Sequence, residues 1–154
     1  MRTISVILDN IRSVHNVGSI FRTCDGAGVS NIYLCGVTPS PIDRFGRARR
    51  DFAKVSLGAQ NSVAWKHVPS TQDAIVALKK DGVRIVAVEQ DTRAKDFKTF
   101  SYTAPTAFVF GEETKGISKE VLDMCDDIVE IPMVGKKESL NVSVTAGIIL
   151  FSLK

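Results

Sequence analysis

Short apolar runs rich in β-branched residues alternate along this chain with segments whose apolar residues return at helical spacing, and that alternation constrains the fold. Residues 3–8, 31–34, 84–88, 106–110 and 128–131 read as strands. Residues 16–28, 70–80, 118–124 and 142–153 read as helices. Within 16–28, Val17, Ile20, Phe21 and Cys24 form one buried stripe. In 70–80, Ser70 or Thr71 supplies the cap and Gly82 follows the end. Strands alternating with helices imply an α/β fold: a mostly parallel sheet with helices on both faces. Residues 38–63 mix prolines, glycines and cations and read as loop with some helix.

There is no repeat, low-complexity tract or linker, so the 154 residues are expected to form one domain, 1–154. The chain holds no apolar run long enough to cross a membrane and no signal-peptide pattern. Cys24, Cys35 and Cys125 are odd in number and far apart, which argues against a disulfide framework or a zinc site and for a reducing, cytoplasmic setting.

The last helix departs from the surface pattern. Val142, Ala146, Ile149, Leu150 and Leu153 make one stripe, yet Val144, Ile148 and Phe151 are apolar as well. Such a helix is either wholly internal or shared with a second subunit, and its terminal position favours a homodimer. Charge is equally uneven. Between positions 44 and 54 lie Arg44, Arg47, Arg49, Arg50 and Lys54 against Asp51 alone, a net of +4 within a chain of +3. Such a stretch is either a phosphate-contacting loop or a solvated one; the clustering of Arg47, Arg49 and Arg50 favours contact.

Neither a P-loop nor a G-x-G-x-x-G fingerprint is present, and His15 and His67 lack ligand-spaced partners, so no metal is expected. Three segments remain to carry chemistry. In the first, 16–22 (Asn-Val-Gly-Ser-Ile-Phe-Arg), Arg22 stands off the apolar stripe with Gly18 one turn earlier on its own face. That glycine leaves space for another backbone or a substrate; a surface pair of Arg22 with Asp25 is the plain alternative. In the second, 110–116 (Phe-Gly-Glu-Glu-Thr-Lys-Gly), glycines follow a strand end, where open α/β sheets bind ligands closely. Glu113 there accepts hydrogen bonds from a substrate or caps the next helix. In the third, 131–144, Ile131 and Met133 offer apolar surface for an adenine ring or simply belong to the core, and Ser139, Leu140 and Asn141 sit at the turn into the last helix.

In this order, the three segments resemble the signature motifs of the SpoU (TrmH-like) RNA ribose 2′-O-methyltransferases of the SPOUT superfamily, a resemblance running from Leu8 to the C-terminus. It implies a C-terminal trefoil knot whose loops bind S-adenosylmethionine, and a dimer made through helices that include the last. The family's catalytic positions fall on Asn16, Arg22, Glu113, Ser139 and Asn141. Its cofactor cradle falls on Val88, Gly111, Ile131, Met133, Ser139 and Leu140. With the first strand beginning at Thr3, the chain resembles the minimal members, which lack an N-terminal RNA-binding extension.

The expected activity is transfer of a methyl group from S-adenosylmethionine to a ribose 2′-hydroxyl of tRNA or rRNA. Arg22 is the candidate base or base assistant; a guanidinium of ordinary pKa keeps its proton, so an RNA phosphate or a dimer neighbour would have to activate it. Two rivals differ in class: a non-catalytic RNA-binding or assembly protein, marked by loss of Arg22 or of the Ser139–Asn141 loop, and a base-modifying SPOUT methyltransferase, marked by a first motif without the Asn16–Arg22 pair. The sequence carries neither mark.

Overall fold

The computed structural model describes residues 3–103 and 105–153. Its strands are β1 (Ile4–Asp9), β2 (Asn31–Cys35), β3 (Ala64–Val68), β4 (Arg84–Val88), β5 (Lys95–Asp96), β6 (Thr106–Gly111) and β7 (Asp127–Glu130). Among the described residues they form one sheet in the order β3-β2-β1-β6-β4-β7-β5. Every neighbouring pair is parallel. All the strands therefore end on the same edge.

The helices are α1 (Val14–Ala27), α2 (Arg50–Ser56), α3 (Ala59–Ser62), α4 (Thr71–Lys80), α5 (Lys119–Met124) and α6 (Val142–Ser152). Alternation along the strands sorts them onto two faces. Val6, Leu8, Val86, Val88, Phe108 and Phe110 point to one side, where Val17, Ile20 and Phe21 of α1, Phe52 of α2 and Ala146, Ile149 and Leu150 of α6 cover them. Ile7, Ile85, Ala87, Ala107 and Val109 point to the other, against Ala74, Ile75 and Leu78 of α4 and Val121 and Leu122 of α5. The sheet thus has helices on both faces, as its pattern implies.

Differences from the sequence reading cluster where apolar patterning is weak. α1 begins at Val14, two residues before the expected start, because Ser13 caps it by accepting from the Asn16 N–H at 3.1 Å. Residues 38–63 are loop with some helix, as expected; the helix is two short pieces whose bounds the sequence did not give, and α2 starts at Arg50 itself. Strands β3 and β5 lie at the two edges of the sheet. An edge strand needs only one backbone partner and no buried side-chain row, so neither leaves a hydrophobic signature.

The space beside Gly18 is filled by α2: a Cβ at Gly18 would sit 3.0 Å from Val55 Cβ and 3.4 Å from the Phe52 carbonyl oxygen. Of the two occupants the sequence allows, the structure has another backbone. No helix among the described residues is long and apolar enough to cross a membrane.

Candidate active site

The carboxyl ends of β4, β6 and β7 frame a cleft of about 340 Å³, at the lower end of the usual range for small-ligand sites. Register explains its position: Val88 pairs with Phe110 and with Val129, so three strand ends finish level. Beyond them the chain leaves as three loops that close round the opening. All six residues assigned to the cofactor cradle, Val88, Gly111, Ile131, Met133, Ser139 and Leu140, line it. So do Glu89, Glu112, Glu130, Glu138 and Thr145, which no single-segment pattern marks out; adjacency to the marked residues is the only signal.

Gly111 is needed for a reason the sequence does not show. A Cβ there would lie 2.6 Å from Ile117 Cγ1 and 2.8 Å from the Gly116 carbonyl carbon, so the glycine admits the loop's own returning backbone rather than a ligand. Gly116 has φ +64°, and a Cβ on it would run into the Glu89 carboxylate. That carboxylate accepts from the Ile117 N–H at 3.0 Å and so ties the loop after β6 to the end of β4. Gln90 Nε2 in turn donates to the Glu138 carbonyl, holding the third loop beside the first.

Asn16 joins all three motifs. Its Nδ2 donates to Glu113 Oε1, and its Oδ1 accepts from Asn141 Nδ2 at 3.3 Å. Asn141 Oδ1 accepts from the Ser143 N–H at 2.9 Å, capping α6. The result is a directed chain from the α6 N-terminus through two asparagines to a carboxylate. Asn16 is only 6% exposed, so leaving either end unpaired would be costly. Glu113 does not cap the following helix: Ser118 does that for α5, accepting from the Val121 N–H. Glu113 instead lines the cleft.

Arg22 is not part of this junction. It is exposed, does not line the cleft and makes no ion pair among the described residues, with Asp25 or any other group. Six residues along α1 from Asn16, it faces about 120° away round the helix axis. Of the RNA-contact candidates, Arg47 pairs with Asp43 at 3.2 Å and Arg49 with Asp51 at 2.8 Å, whereas Arg44 and Arg50 have no carboxylate partner among the described residues. Among those residues, no cluster of His, Cys, Asp or Glu has the makings of a metal site.

Known proteins match this chain in sequence and in fold. The model of the SpoU rRNA methylase family matches residues 3–151. A tRNA (guanosine(18)-2′-O)-methyltransferase of Thermus thermophilus is 36% identical over 148 residues, covering 96% of this chain and 72% of that protein. The enzyme of the same name from Escherichia coli K12 is 34% identical, again over 96% of this chain but 61% of its own length. The structure of an AdoMet-bound rRNA methyltransferase from Sinorhizobium meliloti superposes with a TM-score of 0.88 at 29% identity, covering 97% of this chain and 55% of that one. This chain therefore spans little more than half to about three quarters of the length of these relatives. With its three motif segments hydrogen-bonded together and the family model matched almost end to end, the chain belongs to the SpoU methylase family of RNA-modifying enzymes.

Proposed function

We propose that this chain methylates a ribose 2′-hydroxyl of tRNA or rRNA with S-adenosylmethionine as methyl donor, as a single catalytic domain acting in the cytoplasm as a homodimer. The observation that carries the reading is the Asn16–Glu113–Asn141 junction, which links the three motif segments beside a cleft that Glu113, Ser139 and Leu140 line.

The residues present suit that cofactor. Val88, Phe110, Ile131, Met133 and Leu140 give apolar walls for a purine ring. Glu89, Glu112, Glu113, Glu130 and Glu138, against Lys115 alone, give a negative field suited to a ligand bearing sulfonium and ammonium charges. When bound, S-adenosylmethionine supplies an electrophilic methyl group. The same acidic field repels phosphates, so the RNA backbone stays at the mouth while one ribose reaches inward.

Glu113 and Ser139 then orient the hydroxyl, Asn16 and Asn141 hold the loops that carry them, and Arg22 acts on the hydroxyl or its neighbouring phosphate. A guanidinium keeps its proton, so electrostatic stabilisation of developing alkoxide charge is its simplest role, with proton removal requiring an activating phosphate. The C-terminal trefoil knot belongs to the same proposal. It is supported by the placement of β6 between β1 and β4 and by the Gln90–Glu138 bond between loops. A chain pulled from both ends would stop short of its contour length if knotted.

The test is transfer of tritiated methyl groups from S-adenosylmethionine into tRNA and rRNA, with the labelled nucleoside identified after digestion. A 2′-O-methylnucleoside is expected. A base-methylated nucleoside would transfer the assignment to base modification, and no incorporation would leave a binding protein.

A further inference from the structure

Phe45 is two-thirds exposed, at 66%, and neither the core nor the cleft uses it. Its segment has another phenylalanine, Phe52, fully buried 5.0 Å from Phe21 with the rings nearly perpendicular. Phe45 instead sits at the tip of a small hairpin closed by an antiparallel bridge between Ile42 and Ala48. Asp43 braces that tip: its carboxylate accepts from the Phe45 N–H at 2.8 Å, the Arg47 N–H at 3.0 Å and Arg47 Nε at 3.2 Å. Gly46, at φ +79°, makes the reversal. The guanidinium carbons of Arg44 and Arg47 lie over the Phe45 ring, 4.8 and 5.1 Å from its centre. Three planar groups are therefore gathered on a braced, solvent-facing tip.

The hairpin's base is fixed to the cleft's edge of the sheet. β2 ends at Cys35, level with Asp9, which is level with Gly111. Thr38 Oγ1 accepts from the Ile11 N–H at 3.1 Å, holding the departing loop to the connection between β1 and α1.

We propose that Phe45, flanked by Arg44 and Arg47, is a stacking platform for an unpaired base of the substrate RNA. The inference rests on the RNA reading above and adds to it a preference for single-stranded bases. An exposed aromatic offers every base a π-face, and neighbouring guanidinium planes extend that surface while attracting phosphates. A protein partner fits less well, because the surrounding stretch carries a net of +4 and no further exposed aromatic.

The experiment measures binding of total tRNA, and of a fully paired RNA duplex, across a salt series for the unaltered, Phe45→Ala and Phe45→Trp chains. Because the ring is exposed, all three should melt at the same temperature. Phe45→Ala should weaken tRNA binding by roughly 5- to 150-fold, the loss expected for one stacked base, with an unchanged salt slope. Phe45→Trp should retain affinity, and duplex binding should not change. Equal tRNA affinity of the alanine and unaltered chains overturns the inference while leaving the methyltransferase reading intact. So does a shallower salt slope or an equal loss on duplex, either of which would make the ring a mere brace for its arginines. An unaltered chain that binds neither tRNA nor rRNA overturns both readings.

Discussion

Asn16 donates into one loop and accepts from another, and Arg22, on the same helix, touches neither. The two residues should therefore fail differently. Asn16→Ala leaves Glu113 and Asn141 without their shared partner, at a cost of about 1–3 kcal/mol in stability, and loosens both loops round the cleft. S-adenosylmethionine affinity and melting temperature should fall together. Arg22→Ala removes an exposed group without an ion-pair partner among the described residues, so stability and cofactor affinity should hold while turnover falls by about 10²–10⁴-fold. Calorimetric titration beside a single-turnover assay separates the two, and near-normal turnover of Arg22→Ala would make it an ordinary surface residue. Each motif residue was legible one segment at a time. Their junction was not: its hydrogen bonds span 97 and 125 positions, and only the ordering of strands brings those segments together.

Between residues 38 and 63, element structure rests on features a periodicity scan does not register. Neither α2 nor α3 has a side-chain cap, and they are joined through Leu57 and Gly58, both with left-handed backbone. By contrast β1, β4 and β6, α1 and α4 carried strong patterns and clear caps or turns, and lie within two residues of their sequence boundaries. The same region shows why counting cations overstates a binding site. Five cations stand in one stretch, but Arg47 and Arg49 each face a carboxylate, which leaves Arg44 and Arg50 as the arginines freest to meet phosphate. Replacing Arg44 and Arg50 with alanine should reduce the salt dependence of RNA binding by up to about two phosphate contacts. Replacing Arg47 and Arg49 should reduce it less. Titration of tRNA binding against salt decides between them, and the reverse ranking would mean that the carboxylates release their arginines on binding.

At the scale of the whole molecule, two features lie on neighbouring surfaces of the chain. Val144 and Phe151 of α6 are 50% and 63% exposed although the helix is apolar nearly all round. Arg22 of α1 stands clear of its own cleft. These surfaces adjoin, since α6 packs on α1 closely enough that a Cβ at Gly26 would lie 3.2 Å from Phe151 Cζ. A second copy seated on α6 would cover the apolar residues and also come beside Arg22, so one interface could complete both the core and the site. Charged replacements, Val144→Glu with Phe151→Glu, should then yield a folded monomer by sedimentation that has lost methyl transfer. A sharper test mixes two inactive chains, Arg22→Ala and Asn16→Ala, after co-expression. If Arg22 serves the partner's cleft, a mixed dimer joins an intact cleft from one chain to an intact arginine from the other, and methyl transfer should return. If each subunit uses its own Arg22, every site in the mixture carries a defect and activity stays absent. That result, or a monomeric unaltered chain at micromolar concentration, would mean that no second copy's Arg22 completes the cleft.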